Sequence, residues 1–560
     1  MTSATRIFYN GTILTMDEFG TEAEALAIIG DRIALVGTHA QVTALASSQT
    51  ERTDLKGLTL LPGFIDGHGH FMETGRSLGF KVDLRSPPIG TIKNLDDLAG
   101  AIKARVEATP KGKWIEGFGY DDTLLEEKRH PLAQDIDRVA PDHPVTLSHV
   151  SGHFLAANSY AMKTAGLNAQ TPDPPGGRLR RLPDSSPSGL FEEPSAIDLV
   201  EKYLPTYGPD QERKAVVTAS QVWAAKGVTT AQDGWTSELN LQSLLAAEGF
   251  QAPPANLPAA EATLSPAASL LKVRVQILPS HGAVDSMGLP LASGTPITEK
   301  IVLGPVKLFA DGSLQGYTGY LSNPYHKAMY GLGPRWRGYP MFDPDKLAGA
   351  VLKHHLAGRQ IAIHGNGDQA IEHIIQAFEA ALKVRPVSDH RHFVIHCQTV
   401  REDQLDRISR LGLGASFFVV HLHHWGDRHA DIFLGPDRAA RLNPLLSALE
   451  RSIVFSLHND SPVTPVDPLR SVQTAVLRLS GSGRPLGPEY AITAYQGLRA
   501  VTASAAHLAF EGHRKGRLAK GLLADLTVLR HNPLAVQPEK IAEIETLETI
   551  VGGQTVYGGL

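Results

Sequence analysis

The sequence predicts an α/β fold in which a (β/α)8 TIM barrel forms the largest part of the chain. Seven short β-rich segments alternate with helical stretches from about residue 227 onward, and an earlier segment at 59–70 makes eight. This alternation indicates parallel strands joined by helical crossovers. Polar side chains stand at the ends of several segments, and in such a barrel the carboxyl ends of the strands meet at one mouth.

The barrel strands are predicted in chain order, with helices between them. The eight candidates occupy residues 59–70, 227–233, 273–280, 305–312, 360–368, 392–398, 413–421 and 452–460. The stretch 343–358 has Asp343 as an N-cap, Pro344 in the first turn and Gly358 as a stop, which predicts a helix. A second helix follows from the apolar periodicity of "DQAIEHIIQAFEAALKV".

Three regions lie outside this count of strands. Residues 1–61 and 515–560 contain short strands broken by Gly and Asp, and we expect them to share one small β-domain that flanks the barrel at 62–514. The interval between the first two barrel strands is too long for a loop, which predicts an inserted subdomain at about 80–215. The Ala/Pro-rich stretch at 250–269 reads as an excursion or linker.

Composition restricts the classes of function. The chain of 560 residues carries 53 Lys+Arg against 58 Asp+Glu, so no basic surplus favours nucleic acid or an anionic membrane. The sequence lacks a signal-peptide pattern and any apolar run of membrane-spanning length, which predicts a cytoplasmic protein. One cysteine excludes a thiolate metal cluster held by this chain alone, so a metal would need the carboxylates and the 24 histidines.

The strand ends carry residues that could bind metal. In "FIDGHGH", His68 and His70 would share one face of a strand, because side chains alternate along it. A single His or Asp at such a place usually caps a helix or bonds a carbonyl. The joint placement on five strands favours a metal site instead, and the candidates are His68, His70, Lys307, His364, His396 and Asp460.

Six motifs carry a resemblance to a known family. They are "LPGFIDGHGH", "VKLFADGSLQG", "IHGNGDQA", "IHCQTV", "NDSPV" and "KGLLADLTVL". With these motifs the chain resembles the amidohydrolase superfamily, and within it the amidohydrolase-3 family that includes N-substituted formamide deformylases. The inserted segment resembles that family's own insertion in "GFGYDD", "SGHFLAANS" and "GGRLRR".

The resemblance implies a distorted barrel beside a composite β-sandwich built from both termini, and two divalent metal ions, usually Zn²⁺. By position, His68, His70 and Asp460 would bind one ion, and His364 with His396 the other. Lys307 would bridge the ions as a carbamate, because a free ammonium has no lone pair to donate. The alternative for Lys307 is an ordinary lysine in a polar barrel mouth. A metal-bridging hydroxide would attack the substrate, with Asp460 as general acid–base.

Further residues are candidates for substrate contact or catalysis. His153 resembles a substrate-contacting histidine of the family, and the alternative is a structural hydrogen bond. Relatives often read Gly-Ser-Asp where this chain has His458-Asn459-Asp460. His458 shares the face of Asp460, so it is a candidate partner of a metal ligand, a substrate contact or a structural histidine.

The segment "HLHHWGDRH" contains His421 and Trp425 and is interpreted as a pocket wall or lid, with a surface loop as the alternative. Tyr120 in "GFGYDD" is a further candidate for the pocket lining on resemblance alone. Cys397 is interpreted as an inert buried thiol, because His396 beside it is better used by the metal.

The predicted function is a metal-dependent amidohydrolase that cleaves the C–N bond of an amide, formamide or cyclic amide with a hydrophobic or aromatic group. Two alternatives stay open: an esterase, carbamate hydrolase or lyase on the same metals, or a metal-stabilised binding protein without turnover. The expected partners are a small-molecule substrate and a second copy of the chain in a homodimer.

Overall fold

The central strands lie where the sequence predicts them. The computed structural model describes residues 3–250, 269–327 and 332–560, so the predicted excursion at 250–269 lies almost entirely outside the described residues. All eight candidate segments contain a strand. These central strands are Phe64–Ile65, Val228–Thr236, Arg274–Pro279, Val306–Phe309, Ile361–Gly365, Phe393–His396, Gly414–Phe417 and Phe455–Leu457.

The central strands form two parallel sheets. The first three pair in chain order, and a ninth strand that the sequence analysis missed, Ile301–Leu303, pairs beside Arg274–Pro279. The last five central strands pair in chain order in the second sheet. All pairs are parallel, which is the arrangement that helical crossovers produce.

Backbone hydrogen bonds join the two sheets at both edges. At one edge the Gly304 amide donates to Ile277 O at 2.8 Å and the His281 amide donates to Lys307 O at 3.0 Å. At the other edge the Gly67 amide donates to Leu457 O at 3.3 Å. The chain 301–309 therefore runs beside the third central strand both before and after Gly304.

Helices follow most central strands, and their apolar faces share one large core with the sheets. The helix predicted after Asp343 is confirmed, with the Asp343 side chain accepting from the Asp345 amide at 3.0 Å. The α-helices of this part are Phe71–Phe80, Pro209–Ala224, Glu238–Ala247, Pro344–Leu356, Asp368–Val384, Glu402–Arg410, His421–Arg428, Pro436–Ala440, Leu445–Glu450, Pro468–Leu477, Ala494–Ala500 and Ala503–Leu508. A π-helix, His429–Phe433, continues the seventh of these, and a 3-10 helix spans Pro488–Tyr490.

Strands from both ends of the chain build one eight-stranded sheet. Its members are Arg6–Leu14, Glu22–Ile29, Arg32–Gly37, Glu51–Asp54, Thr59–Pro62, Leu526–Leu529, Thr546–Val551 and Gln554–Gly558, with the short helices His39–Thr43 and Pro538–Glu543. The strand Thr59–Pro62 lies between Arg6–Leu14 and Leu526–Leu529. The buried Arg6 guanidinium donates to both carboxylate oxygens of Glu548, at 2.8 and 3.0 Å.

The segment between the first two central strands forms a six-stranded sheet with its own apolar core. Its strands are Val82–Asp83, Ile115–Tyr120, Val145–His149, Phe154–Ala157, Arg178–Arg181 and Pro187–Glu192. Its helices are Leu95–Glu107, Ala133–Asp137, Ser159–Thr164 and Pro194–Glu201. Within the described parts of the chain, none of the helices has the length and apolar character needed to cross a membrane.

Candidate metal centre

Three of the predicted ligands lie together at the ends of the first and last central strands. The Nε2 atom of His70 is 3.4 Å from Oδ1 of Asp460, and Nε2 of His68 is 3.7 Å from the same oxygen. His68 is buried, and Asp460 is only 7% exposed. The donor atoms of this trio all lie within 4.8 Å of one another, which is close enough for one cation to contact all three.

Neighbouring carbonyl groups fix which nitrogen of each imidazole carries a proton. Nδ1 of His70 lies 2.8 Å from the carbonyl oxygen of Gly234, which can only accept. Nδ1 of His68 lies 3.4 Å from Oε1 of Gln232, whose amide nitrogen donates to Gln276. When neutral, each imidazole therefore carries its proton on Nδ1, and the Nε2 lone pair points towards Asp460.

The result is a cluster of three acceptors, buried at His68 and Asp460, in which Nε2 of His68 has the Lys307 Nζ atom as a neighbour at 2.9 Å. Asp460 Oδ1 has no hydrogen-bond partner and faces the two Nε2 lone pairs. Burial also lowers the pKa of His68 well below its usual value, which keeps this imidazole neutral. Three acceptors this close are unfavourable unless a cation or an added proton lies between them. The donor set therefore fits a divalent metal ion.

The second predicted pair of ligands, His364 and His396, lies beside this trio. Nε2 of His396 is 3.0 Å from Nδ1 of His364. On its far side, Nε2 of His364 lies 3.0 Å from the carbonyl oxygen of Gly312. Burial lowers the pKa of both imidazoles well below the usual value, so both offer neutral nitrogens to a metal.

His458 sets the proton position of His396 through a chain of hydrogen bonds. Ser416 Oγ donates to the carbonyl oxygen of Gly67 at 3.1 Å, so it must accept from Nδ1 of His458 at 2.9 Å. Nε2 of His458 then accepts from Nδ1 of His396 at 3.0 Å. Of the three roles open for His458 in the sequence, this geometry favours the partner of a metal ligand.

Lys307 is fully buried between the two groups of histidines. Its Nζ atom lies 2.9 Å from Nε2 of His68 and 4.9 Å from the centre of the Phe309 ring. Burial lowers the pKa of its amine from the usual 10.5 to about 7, although the nearby Asp460 carboxylate opposes this shift. A large fraction of the amine is then neutral near pH 7, and a neutral amine is the form that reacts with carbon dioxide.

His153 reaches the same site from the inserted sheet. Its Nδ1 atom lies 2.7 Å from Oε2 of the buried Glu193, and its ring centre lies 5.5 Å from that of His364. Burial alone would lower the pKa of His153, but the Glu193 carboxylate outweighs this effect and raises it. The imidazole is therefore set up as a hydrogen-bond donor towards the site.

A small cavity lies beside these residues. His421 contributes to it from the start of the helix His421–Arg428, so this segment is a helix and not a surface loop. The Nδ1 atom of His421 is 2.5 Å from Nε2 of His429, and its ring stacks on Trp425. The described lining is Ser151, His153, Ser313, Gln315, His364, Asn366, His396, Gln398, Phe418, His421, Asp460 and Val463.

That described lining includes neither Tyr120 nor Trp425. Trp425 is 3% exposed and its indole nitrogen donates to Asp121 at 3.0 Å, which ties the helix to the inserted sheet. The Tyr120 hydroxyl is buried in the inserted sheet, 3.1 Å from Nδ1 of His130. The contacts given for both residues are structural, and their roles in substrate binding stay predictions.

A second group with carboxylates and histidine lies in the inserted sheet, at Asp121, Asp122 and His149. The Ser151 amide donates to Nδ1 of His149 at 3.2 Å, so Nε2 carries the proton and donates to Asp122 at 3.1 Å. Asp121 is paired with the Arg428 guanidinium at 2.6 Å. Most acceptors of this group are satisfied by a proton and a fixed cation, although Asp122 Oδ2 has no hydrogen-bond partner, and we assign no metal to it.

Comparison with known proteins defines the class of this chain. Residues 51–557 match the model of the amidohydrolase family, and this match covers most of the sequence. The chain therefore belongs to the amidohydrolase family, which confirms the resemblance in its motifs and indicates a hydrolase.

Particular relatives cover the whole length of the chain. The protein YtcJ of Bacillus subtilis (strain 168) is 29% identical over 98% of this chain and 99% of its own. N-substituted formamide deformylase of Arthrobacter pascens is 27% identical over 98% of this chain and 97% of its own. A crystal structure of an uncharacterized metal-dependent hydrolase from Pyrococcus horikoshii OT3 superposes with a TM-score of 0.73 at 24% identity, covering 95% of this chain and 99% of that one. This likeness supports an α/β fold shared across the chain.

Proposed function

We propose that this protein is a metal-dependent amidohydrolase that hydrolyses the C–N bond of an amide, formamide or cyclic amide carrying a hydrophobic or aromatic group. The observation that carries the proposal is the group of buried acceptors at His68, His70 and Asp460, which a cation would complete. The similarity to an N-substituted formamide deformylase supports the type of bond.

We further propose that the eight central strands close into one distorted barrel, because hydrogen bonds link the two parallel sheets at both edges. The barrel would occupy residues 62–514, including the inserted subdomain at about 80–215. The eight-stranded sheet from residues 1–61 and 515–560 would be the composite β-sandwich. A homodimer and a cytoplasmic location stay predictions from the sequence.

The proposed ligand sets follow the geometry of the lone pairs. His68, His70 and Asp460 would hold one divalent ion, with Zn²⁺ favoured by imidazole and carboxylate donors. His364 and His396 would hold a second ion, with His458 keeping the His396 lone pair turned towards it. The neutral, buried amine of Lys307 would bridge both as a carbamate.

The chain's own residues would handle the protons. When bound, divalent ions supply a nucleophile at neutral pH and polarise a carbonyl group. The Asp460 carboxylate would take the proton of the attacking water and pass it to the leaving nitrogen. His153, held by Glu193, would donate a hydrogen bond to the substrate carbonyl from its Nε2–H.

A substrate screen tests the proposed function. N-formyl, N-acyl and cyclic amides are offered to zinc-loaded protein and to chelator-treated protein in parallel. We expect metal-dependent release of an amine and an acid. Cleavage of esters alone would favour the esterase alternative, carbon–carbon cleavage would favour the lyase, and metal binding without turnover of any compound would favour the binding protein.

The pairing of His153 with Glu193 predicts a pH effect. Glu193→Gln removes the carboxylate that raises the pKa of His153, so that pKa should fall. The protonated imidazole is lost as pH rises through its pKa, so the alkaline limb of kcat/KM is expected to move to lower pH. NMR titration of His153 measures the pKa directly. An unchanged titration curve would show that Glu193 does not control this imidazole.

A further inference from the structure

Trp235 differs from the other residues of its strand in its exposure to solvent. It lies at the penultimate position of the second central strand, Val228–Thr236, where every other residue is buried, yet its own side chain is 43% exposed. Its backbone φ is +64°, in the left-handed region that bulky side chains rarely adopt. Exposure of the indole to water and the positive φ of a bulky residue each cost free energy. Backbone strain of this kind is concentrated at functional sites.

Trp235 lies where the register of its strand shifts, between Gly234 and Thr236, and this place is beside the candidate metal centre. The carbonyl oxygen of Gly234 accepts from Nδ1 of His70 at 2.8 Å, and its amide donates to Gly69 at 2.8 Å. A Cβ atom at Gly234 would lie only 2.5 Å from Cε1 of His68. The backbone just before Trp235 is therefore packed directly against both imidazoles of the trio, so Trp235 follows directly on a residue that contacts the candidate metal centre.

The indole continues into an aromatic wall that leads to the metal ligands. The ring centres of Trp235 and Phe309 are 4.9 Å apart with an interplanar angle of 68°. The Phe309 ring lies 4.9 Å from the ring of His364 and 6.5 Å from that of His153. Phe309 is itself partly exposed. An apolar surface thus runs from solvent to the proposed reaction centre.

The aromatic residues at the end of the strand Gly414–Phe417 and in the helix after it offer less ring surface to a ligand. Trp425 is buried and donates to Asp121, Phe417 is fully buried against Phe455, and Phe418 is 3% exposed. Phe418 lines the small cavity but is almost fully buried, whereas Trp235 and Phe309 lie outside that lining and leave ring surface open to solvent.

We propose that Trp235 and Phe309 form a subsite for an aromatic ring of the substrate, and that Trp235 determines specificity for that ring. The subsite rests on the proposed function, since its place is defined by the metal centre. Edge-to-face and offset contacts between rings add to the burial of apolar area, so a flat ring binds better than a saturated ring of the same size.

The experiment separates the subsite from catalysis. Binding is measured by saturation-transfer NMR of the ligand with the metal-loaded protein, using benzyl alcohol, which has no amide bond, and cyclohexylmethanol. We expect benzyl alcohol to bind the parent with a saturable curve and Trp235→Leu to lose this binding. Trp235→Phe should retain binding of benzyl alcohol in competition with N-benzylformamide. Tyr203→Leu, an equally exposed aromatic residue elsewhere, serves as the control.

Kinetics give the second readout. Trp235→Leu is expected to raise KM for N-benzylformamide by about tenfold, with kcat changed much less, and to leave KM for N-(cyclohexylmethyl)formamide nearly unchanged. If both KM values and the binding of benzyl alcohol in Trp235→Leu match the parent, the subsite is refuted even though amides are hydrolysed. If benzyl alcohol binding depends on Trp235 while no amide is cleaved, the subsite stands and the proposed function fails.

Discussion

Asp460→Asn is expected to keep its metal and to lose turnover by on the order of a hundredfold or more. The amide oxygen of asparagine can still face the Nε2 atoms of His68 and His70, so the donor set keeps its shape. An amide cannot take a proton from water and return it to a leaving nitrogen. The measurement is kcat on the amide found in the screen, together with metal content by elemental analysis.

The control for this prediction is Asp437→Asn, which makes the same change on the exposed surface and should behave as the parent. Parental turnover of Asp460→Asn would show that another group moves the proton. Loss of metal from Asp460→Asn would show that the carboxylate charge is needed for metal binding. The loss of turnover would then be due to the missing metal and not to proton transfer.

Lys307→Met is expected to remove about one metal ion per chain and to lower turnover by on the order of a hundredfold or more. Methionine replaces the buried side chain with one of similar length, so the apolar stem is kept and the nitrogen is lost. If the amine is carboxylated, two bridging oxygen atoms disappear with it. Elemental analysis counts the ions, and ¹³C NMR of protein grown with labelled bicarbonate detects a carbamate.

Lys353→Met, at an exposed ion pair with Asp285, is the control and should retain metal, carbamate signal and turnover. Unchanged metal content in Lys307→Met, with no carbamate signal in the parent, would favour the alternative of an ordinary lysine in a polar mouth.

The central strands and the proximity of the proposed metal ligands could be predicted from the sequence, because both follow from the order of β-rich segments and the polar residues at their ends. His68 and His70 lie past the end of the strand Phe64–Ile65, so the predicted strand alternation does not place them. Asp460 lies next to them because the ends of the first and last central strands are adjacent, with the Asp460 amide donating to His68 O at 3.2 Å. The sequence does not predict the ninth strand, Ile301–Leu303, because it is only three residues long. Gly304 separates it from the predicted strand that follows.

Contacts between distant parts of the chain could not be predicted in this way. Glu193 contacts His153 because the strands Phe154–Ala157 and Pro187–Glu192 pair in the inserted sheet, and the spacing of residues in the sequence does not predict that pairing. The link from His458 through Ser416 depends on which atoms donate. Trp235 carries a weak signal, since an aromatic residue follows Gly at a strand end, but its positive φ coincides with a register shift between Gly234 and Thr236 that the sequence does not indicate.

The sheet built from both ends of the chain has a consequence for synthesis. Arg6 finds its buried carboxylate partner only at Glu548, and the strand Thr59–Pro62 keeps an open edge until Leu526–Leu529 exists. An unpaired edge is a template for pairing with other chains. Almost the entire polypeptide must therefore be synthesised before the N-terminal strands can complete their pairing. Premature termination late in translation should produce aggregation-prone fragments and not a shortened enzyme.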